Sequence, residues 1–280
     1  MNKIKYLIVL LLPVIITACS FGKNTVNLDE VKKIKTVAVI IYTVPEKIIY
    51  KADARDSSGS LTAALVDSAT GNTGSNAADI AVHKFTETLQ KEGMTFKVIP
   101  HSTVLSNAKY KSLYKPVVAA KKDADEGLLA KSLSFLGSMA GNSSAGAAPK
   151  GMNQYGLIED WRGDTALTGK SGESEYIQKS IEALKVDAVL VINDMGFSFS
   201  CEACIGSTGV ASTGSAFNAT MITRSGPVMN IREWFATTDE QGAMVTGIVD
   251  PTEHKELYEE HGRKMAQVYA AAVKESLAAK

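Results

Sequence analysis

This chain is poor in cysteine (3 of 280 residues), proline (7) and tryptophan (2), and it carries no excess charge, with 30 Lys+Arg against 30 Asp+Glu. Three cysteines cannot staple a chain of this length, which excludes a disulfide-rich scaffold. Balanced charge removes the electrostatic basis for nucleic-acid binding. No apolar run reaches the roughly 20 residues that a membrane-spanning helix needs. No repeat with a period of about 20–50 residues is visible, which argues against solenoids and propellers. What is present is an ordinary globular composition, 45% hydrophobic and 21% charged, sufficient for a packed core.

The N-terminus has the organisation of an export signal. Lys3 and Lys5 precede Tyr6 to Ile16, eleven residues without charge, within the roughly 7–15 of a signal core. The run ends in Ile16-Thr17-Ala18-Cys19, which resembles the bacterial lipoprotein box. That resemblance implies cleavage before Cys19 and acylation of its thiol and of the new amine, with membrane lipid as the first partner. Each buried methylene is worth about 0.8 kcal/mol, so two or three acyl chains would hold a soluble body at a bilayer. Ser20, where the enteric retention rule has Asp, implies the outer membrane. Loss of residues 1–18 leaves 262 residues with 28 basic against 30 acidic side chains. Residues 19–35 are polar and read as a lipidated tether, and 36–280 as one domain.

Within that domain, residues 36–42 form a β-branched run suited to a buried strand. Of the 27 residues from 52 to 78, 23 are Ala, Asp, Gly, Asn, Ser or Thr, too little apolar surface for a core element. Ala77, Ala78, Ala81, Phe85 and Leu89 then recur at helical spacing, with Asn76 as a cap and Gly93 as a stop. Residues 96–99 suit a strand, 103–114 and 175–184 helices, and 186–192 a strand buried on both faces. A further small-residue segment, 200–216, precedes strands over about 217–223, 228–237 and 243–249, the last two joined through an Asp239-Glu-Gln-Gly242 turn. Residues 253–277 form a long helix with Leu257, His261, Met265, Val268 and Ala272 in one stripe. The expected fold is therefore α+β, an α/β sandwich with a mixed, mostly antiparallel sheet. Its expected order is β-α-β-α-α-β-β-β-β-α, with Gly/Ala/Ser-rich insertions near 52–76, 125–172 and 196–216.

A helix, the phrase Val186-Asp187-Ala188-Val189-Leu190-Val191, a meander and a closing amphipathic helix resemble the curli-secretion channel lipoproteins. Related domains include the penicillin-binding-protein activator lipoprotein and the N-terminal domain of the Tol translocation protein. The resemblance covers roughly 36–42, 77–100 and 173–278. It implies a lipidated α/β sandwich acting in assembly, secretion or partner docking, with an envelope protein as partner and self-association compatible with it. The curli channel type inserts two amphipathic hairpins into the outer membrane. Here 125–150 and 196–216 lack the strict alternation that membrane strands need, a departure from that pattern.

Cys201-Glu-Ala-Cys204 is the sharpest local motif. Two thiols at this spacing can close a small disulfide, act as a redox pair or supply half a metal site. With Cys19 acylated they are the remaining pair in an oxidising compartment, and a disulfide is the expected state. Redox work fits poorly, because such a motif should open a helix after a strand. His254 and His261 are seven apart on the last helix, too far for ideal chelation, and read as one surface and one packed histidine. His83 and His101 are isolated. Gly163 to Ser171 has one residue too many for a phosphate loop, and Arg162-Gly163-Asp164 is a bare tripeptide. The carboxylates Glu173, Glu175, Glu256, Glu259 and Glu260 read as solvated helix faces. With no catalytic constellation in view and no cofactor expected, the chain is expected to be a non-catalytic envelope lipoprotein; a haem or metal carrier using the loops around Cys201 and Cys204 is the alternative.

Overall fold

A computed structural model describes residues 24–45, 49–52, 73–114, 146–153, 171–194, 198–205, 208–236, 243–246 and 255–278. The described elements run β1 (Thr25–Val26), α1 (Leu28–Val31), β2 (Thr36–Pro45), β3 (Ile49–Ala52), α2 (Thr73–Lys91), β4 (Lys97–Val98), α3 (His101–Ser106), α4 (Ala108–Lys111) and β5 (Gly146–Ala147). They continue with α5 (Ser171–Leu184), β6 (Ala188–Asp194), β7 (Ser198–Ile205), β8 (Thr208–Thr223), β9 (Gly226–Ala236), β10 (Ala243–Thr246) and α6 (Lys255–Ala278).

The strands make one mixed sheet whose main path is β1-β9-β8-β6-β2-β4. β2 is parallel to β4 and β6, whereas β6–β8, β8–β9 and β1–β9 are antiparallel. Helices cover both faces, which gives the α+β sandwich. On one face α2 and α6 bury Ala78, Ala81, Phe85, Tyr258, Met265 and Tyr269 against the sheet. On the other, Ile177 and Ile181 of α5 pack with Val104 and Tyr110 over Ala38, Val189 and Val191. The central strands are apolar on both sides, as their unbroken Val/Ile/Leu composition requires.

The two helices of the first face approach very closely. A Cβ on Gly262 would lie 2.1 Å from the carbonyl oxygen of Ala81, so only glycine lets α6 settle at this depth on α2. At the far side of the molecule Lys185 ends α5 with φ +55. Val186 N–H returns to the Ile181 carbonyl at 3.3 Å, a left-handed cap usually given to glycine.

The structure differs from the sequence expectations in several places. α2 begins at Thr73, so Asn76 lies inside the helix rather than capping it. Residues 24–35 belong to the domain rather than to a tether: β1 pairs with β9, and α1, capped by Asn27, buries Val31. The polarity of this stretch reflects an edge element with one buried side. The expected helix over 103–114 is two short helices, because Asn107 is extended and its side chain accepts the Tyr110 N–H at 2.9 Å. The small-residue segment within 196–216 is β-structure: β7 pairs with the first half of a 16-residue β8. Small side chains weaken strand propensity, but pairing on both sides of β8 supplies the missing backbone partners. Finally, β10 pairs with β8, Ala243 opposite Ala211, and not with β9. β9 leaves the edge of β8 at Gly214, and β10 takes up the vacated edge beyond it. With β1, β3, β5 and β7 added, the sheet is larger than the expected order implied.

Candidate functional site

The C-terminal ends of the parallel strands β2 and β6, where α/β sheets usually carry their ligands, hold the polar chemistry of the described core. In β6, Ala188, Leu190 and Ile192 point to the α2/α6 face, and Asp194 follows in phase. In β2 the alternation is interrupted. A bulge between Val39 and Ile41 puts both Ile40 and Ile41 on the α5 face and returns Tyr42 and Val44 to the α2/α6 face. The Ile40 carbonyl accepts the Tyr110 hydroxyl at 2.9 Å, and the Tyr176 hydroxyl stands 2.8 Å from that of Tyr110. One extra residue therefore re-aims Tyr42 at Asp194, a common use of a bulge.

Asp194 is fully buried and is the centre of a four-element cluster. Its Oδ2 accepts the Tyr42 hydroxyl at 2.6 Å and lies 2.8 Å from His261 Nε2 of α6. Its Oδ1 accepts the Ser215 hydroxyl of β8. The Phe235 ring stands 4.9 Å from the His261 ring, and Met265 Sδ closes the space over the Tyr42 hydroxyl. Burial, reinforced by the Asp194 carboxylate, pushes the Tyr42 phenol well above its ordinary value, so it remains a donor. A Ser-His-Asp triad would need the serine on the imidazole. Here Ser215 hydrogen-bonds the carboxylate, and the cluster ties β2, β6, β8 and α6 together.

On the opposite face at the same height, register aligns Thr43, Asn193, Asn218 and Arg232 across β2, β6, β8 and β9. Thr43 and Asn218 are buried, and the buried Oδ1 of Asn193 has no hydrogen-bond partner among the described residues. Arg232 Nε donates to Asn230 Oδ1 at 3.2 Å, and Asn230 donates to the Thr220 hydroxyl at 2.9 Å. The row ends near Trp234, whose side chain is 63% exposed.

The other end of β6 is arranged differently. Asp187, the second residue of the phrase that opens this strand, accepts the backbone N–H groups of Lys35 and Thr36 at 2.9 Å each and the Thr36 hydroxyl at 3.0 Å. Slight burial pushes its carboxyl up, and the three hydrogen bonds outweigh that and hold it below the usual value. Asp187 thus staples β6 to β2 at their parallel starts.

Of the sequence candidates, His261 is packed in its stripe as expected, with Asp194 as a partner that helical periodicity could not disclose. Phase along 188–194 was the available signal for Asp194. His101 is buried, and neither ring nitrogen has a partner among the described residues; burial, with His83 nearby, lowers its pKa to about 4. Glu175 is exposed and pairs with Lys179 at 2.5 Å, and Glu259 pairs with Lys255 at 3.3 Å, as solvated faces do. The backbones of Cys201 and Cys204 lie in β7, opposite Ala211 and Gly209, with a bulge between Cys201 and Ala203. Their side chains lie outside the described part, as do Cys19, His254, Glu173, the Arg162-Gly163-Asp164 tripeptide and the loop 163–170. Among the described residues, no three His, Cys, Asp or Glu side chains are grouped to hold a metal, and no helix is long and apolar enough to cross a membrane. No protein family's sequence profile matches this chain, and no curated protein matches it.

Proposed function

We propose that this chain is a lipid-anchored protein of the bacterial cell envelope, acylated at Cys19 and residing at the outer membrane. Its α+β domain acts by binding, in the assembly, secretion or docking of envelope proteins. The observation that carries the non-catalytic part is the use made of Asp194. Among the described residues, the clustered side chains that could do acid–base work, Asp194, His261, Tyr42 and Ser215, are buried and engaged with one another. On the opposite face, half-buried Arg232 beside exposed Trp234 offers a polar and an aromatic side chain instead, the combination that recognition surfaces favour. The lipoprotein box before Cys19 supports the address.

Two measurements test this. Labelled palmitate should enter the native chain and not the Cys19→Ala variant. Photocrosslinking from position 232 or 234 in intact cells should capture an envelope protein, whereas capture of nothing from either would remove the docking surface.

A further inference from the structure

Cys201 and Cys204 are three residues apart, a spacing that puts two residues of a regular strand on opposite faces. The register of β7 removes this obstacle. Ser198 to Cys201 pair with Gly214 to Ala211, the ladder then shifts by one, and Ala203 to Ile205 pair with Val210 to Thr208. Glu202 is the residue left out of the ladder, so the cysteines stand opposite Ala211 and Gly209, which are two apart on β8 and share a face. The bulge therefore gives Cys201 and Cys204 the relation of neighbours two positions apart on one face of the sheet. The residues paired around them on that face are Ala52 of β3, Gly209 and Ala211 of β8, and Ala243 and Val245 of β10. None of these residue types carries a donor side chain.

Strand neighbours of this kind are about 6.6 Å apart. An S–S bond needs Cβ atoms within about 3.5–4.5 Å of each other, so closing one between them would require β7 to buckle. A metal ion spans more, because two metal–sulfur bonds of about 2.3 Å each replace one S–S bond of about 2.0 Å. Two thiolates with no further donor at the paired positions fall short of the four ligands of structural zinc, whereas soft, monovalent copper accepts two thiolates in line. From this juxtaposition we infer that Cys201 and Cys204 form a two-coordinate Cu(I) site, both thiols giving up their protons as the ion binds. The site adds a small ligand to the binding role proposed above, and it does not depend on acylation of Cys19.

The experiment titrates the purified full chain, freed of metal and kept under argon, with Cu(I) held by bathocuproine disulfonate, whose coloured complex reports the copper it loses. One Cu(I) per chain should pass to the native protein and none to Cys201→Ser or Cys204→Ser, with circular dichroism showing that each variant folds. The decisive variant keeps both thiols and moves one. Ala203→Cys combined with Cys204→Ala puts the second cysteine opposite Val210, on the other face, and the transfer should be lost. Transfer to that variant equal to the native chain's overturns the site, because the register would then play no part. Mapping of thiols in the freshly isolated native chain gives a second readout: both cysteines should be free or copper-bound. A disulfide between Cys201 and Cys204, or between two chains through either, overturns the inference. Cys19 is the same in every sample, so a failure of acylation leaves these comparisons intact.

Discussion

Asp187 and Asp194 sit seven residues apart on the same segment and do opposite things. Asp187 is near the surface and holds two backbone amides and one hydroxyl at the entry to the sheet. Asp194 is sealed inside and holds three side chains from three other elements. The difference shows that a carboxylate's role here is set by depth: at the surface water competes for every bond, whereas in the interior each lost partner leaves an uncompensated group.

The strongest way to break this comparison is Asp194→Ala. It should cost about 3–5 kcal/mol, because Tyr42, Ser215 and His261 all lose their partner inside the core. Chemical denaturation of the variant checks it, and a loss near that expected for a surface carboxylate would contradict the buried cluster. Next comes Gly262→Ala, which should cost about 1–3 kcal/mol or more by lifting α6 off Ala81. It should also pull His261 away from Asp194, so the His261 ring resonance should shift although the histidine itself is untouched.

Acid stability gives a finer division. His101 stays neutral in the fold, with its pKa lowered from 6.5 to about 4, while the unfolded chain takes up the proton at about 6.5. Stability should therefore fall as the pH drops from about 6.5 to about 4, by on the order of 3 kcal/mol, and His101→Phe should flatten that slope. Asp187 works in a lower window: its carboxyl is held below the ordinary 3.8, so its contribution is present above that value and is lost as the pH falls through the folded value. In the His101→Phe background, the remaining acid loss should shrink further with Asp187→Ala. That substitution by itself should cost about 1–2 kcal/mol at neutral pH, less than the cost at Asp194.

Much of the fold was legible in the sequence. The continuous apolar character of 36–42 and 186–192 marked buried strands, and the helical spacing of Ala78, Ala81, Phe85 and Leu89 marked the face that α2 buries. Gly93 ends that helix with φ +63, as its position suggested. β7 and the first half of β8 were not legible, because Gly, Ser, Thr and Ala have no periodic hydrophobic signal and were organised by partners on either side. The shift to β8 as the partner of β10 was equally hidden, since a turn motif such as Asp239 to Gly242 describes a local bend and not which edge is open.

What the sequence by itself determined is the buried strands at 36–42 and 186–192, the helices around 77–91 and 253–277, the faces they bury and the packed position of His261. These follow from periods of two and 3.6 residues, which are properties of neighbours along the chain. The tertiary structure alone decided that Tyr42, Asp194, Ser215 and His261 meet. The three partners stand 21 to 152 residues from Asp194 in sequence. Strand order, one bulge in β2 and the close seat of α6 on α2 set their distances, and none of these leaves a local mark in the chain.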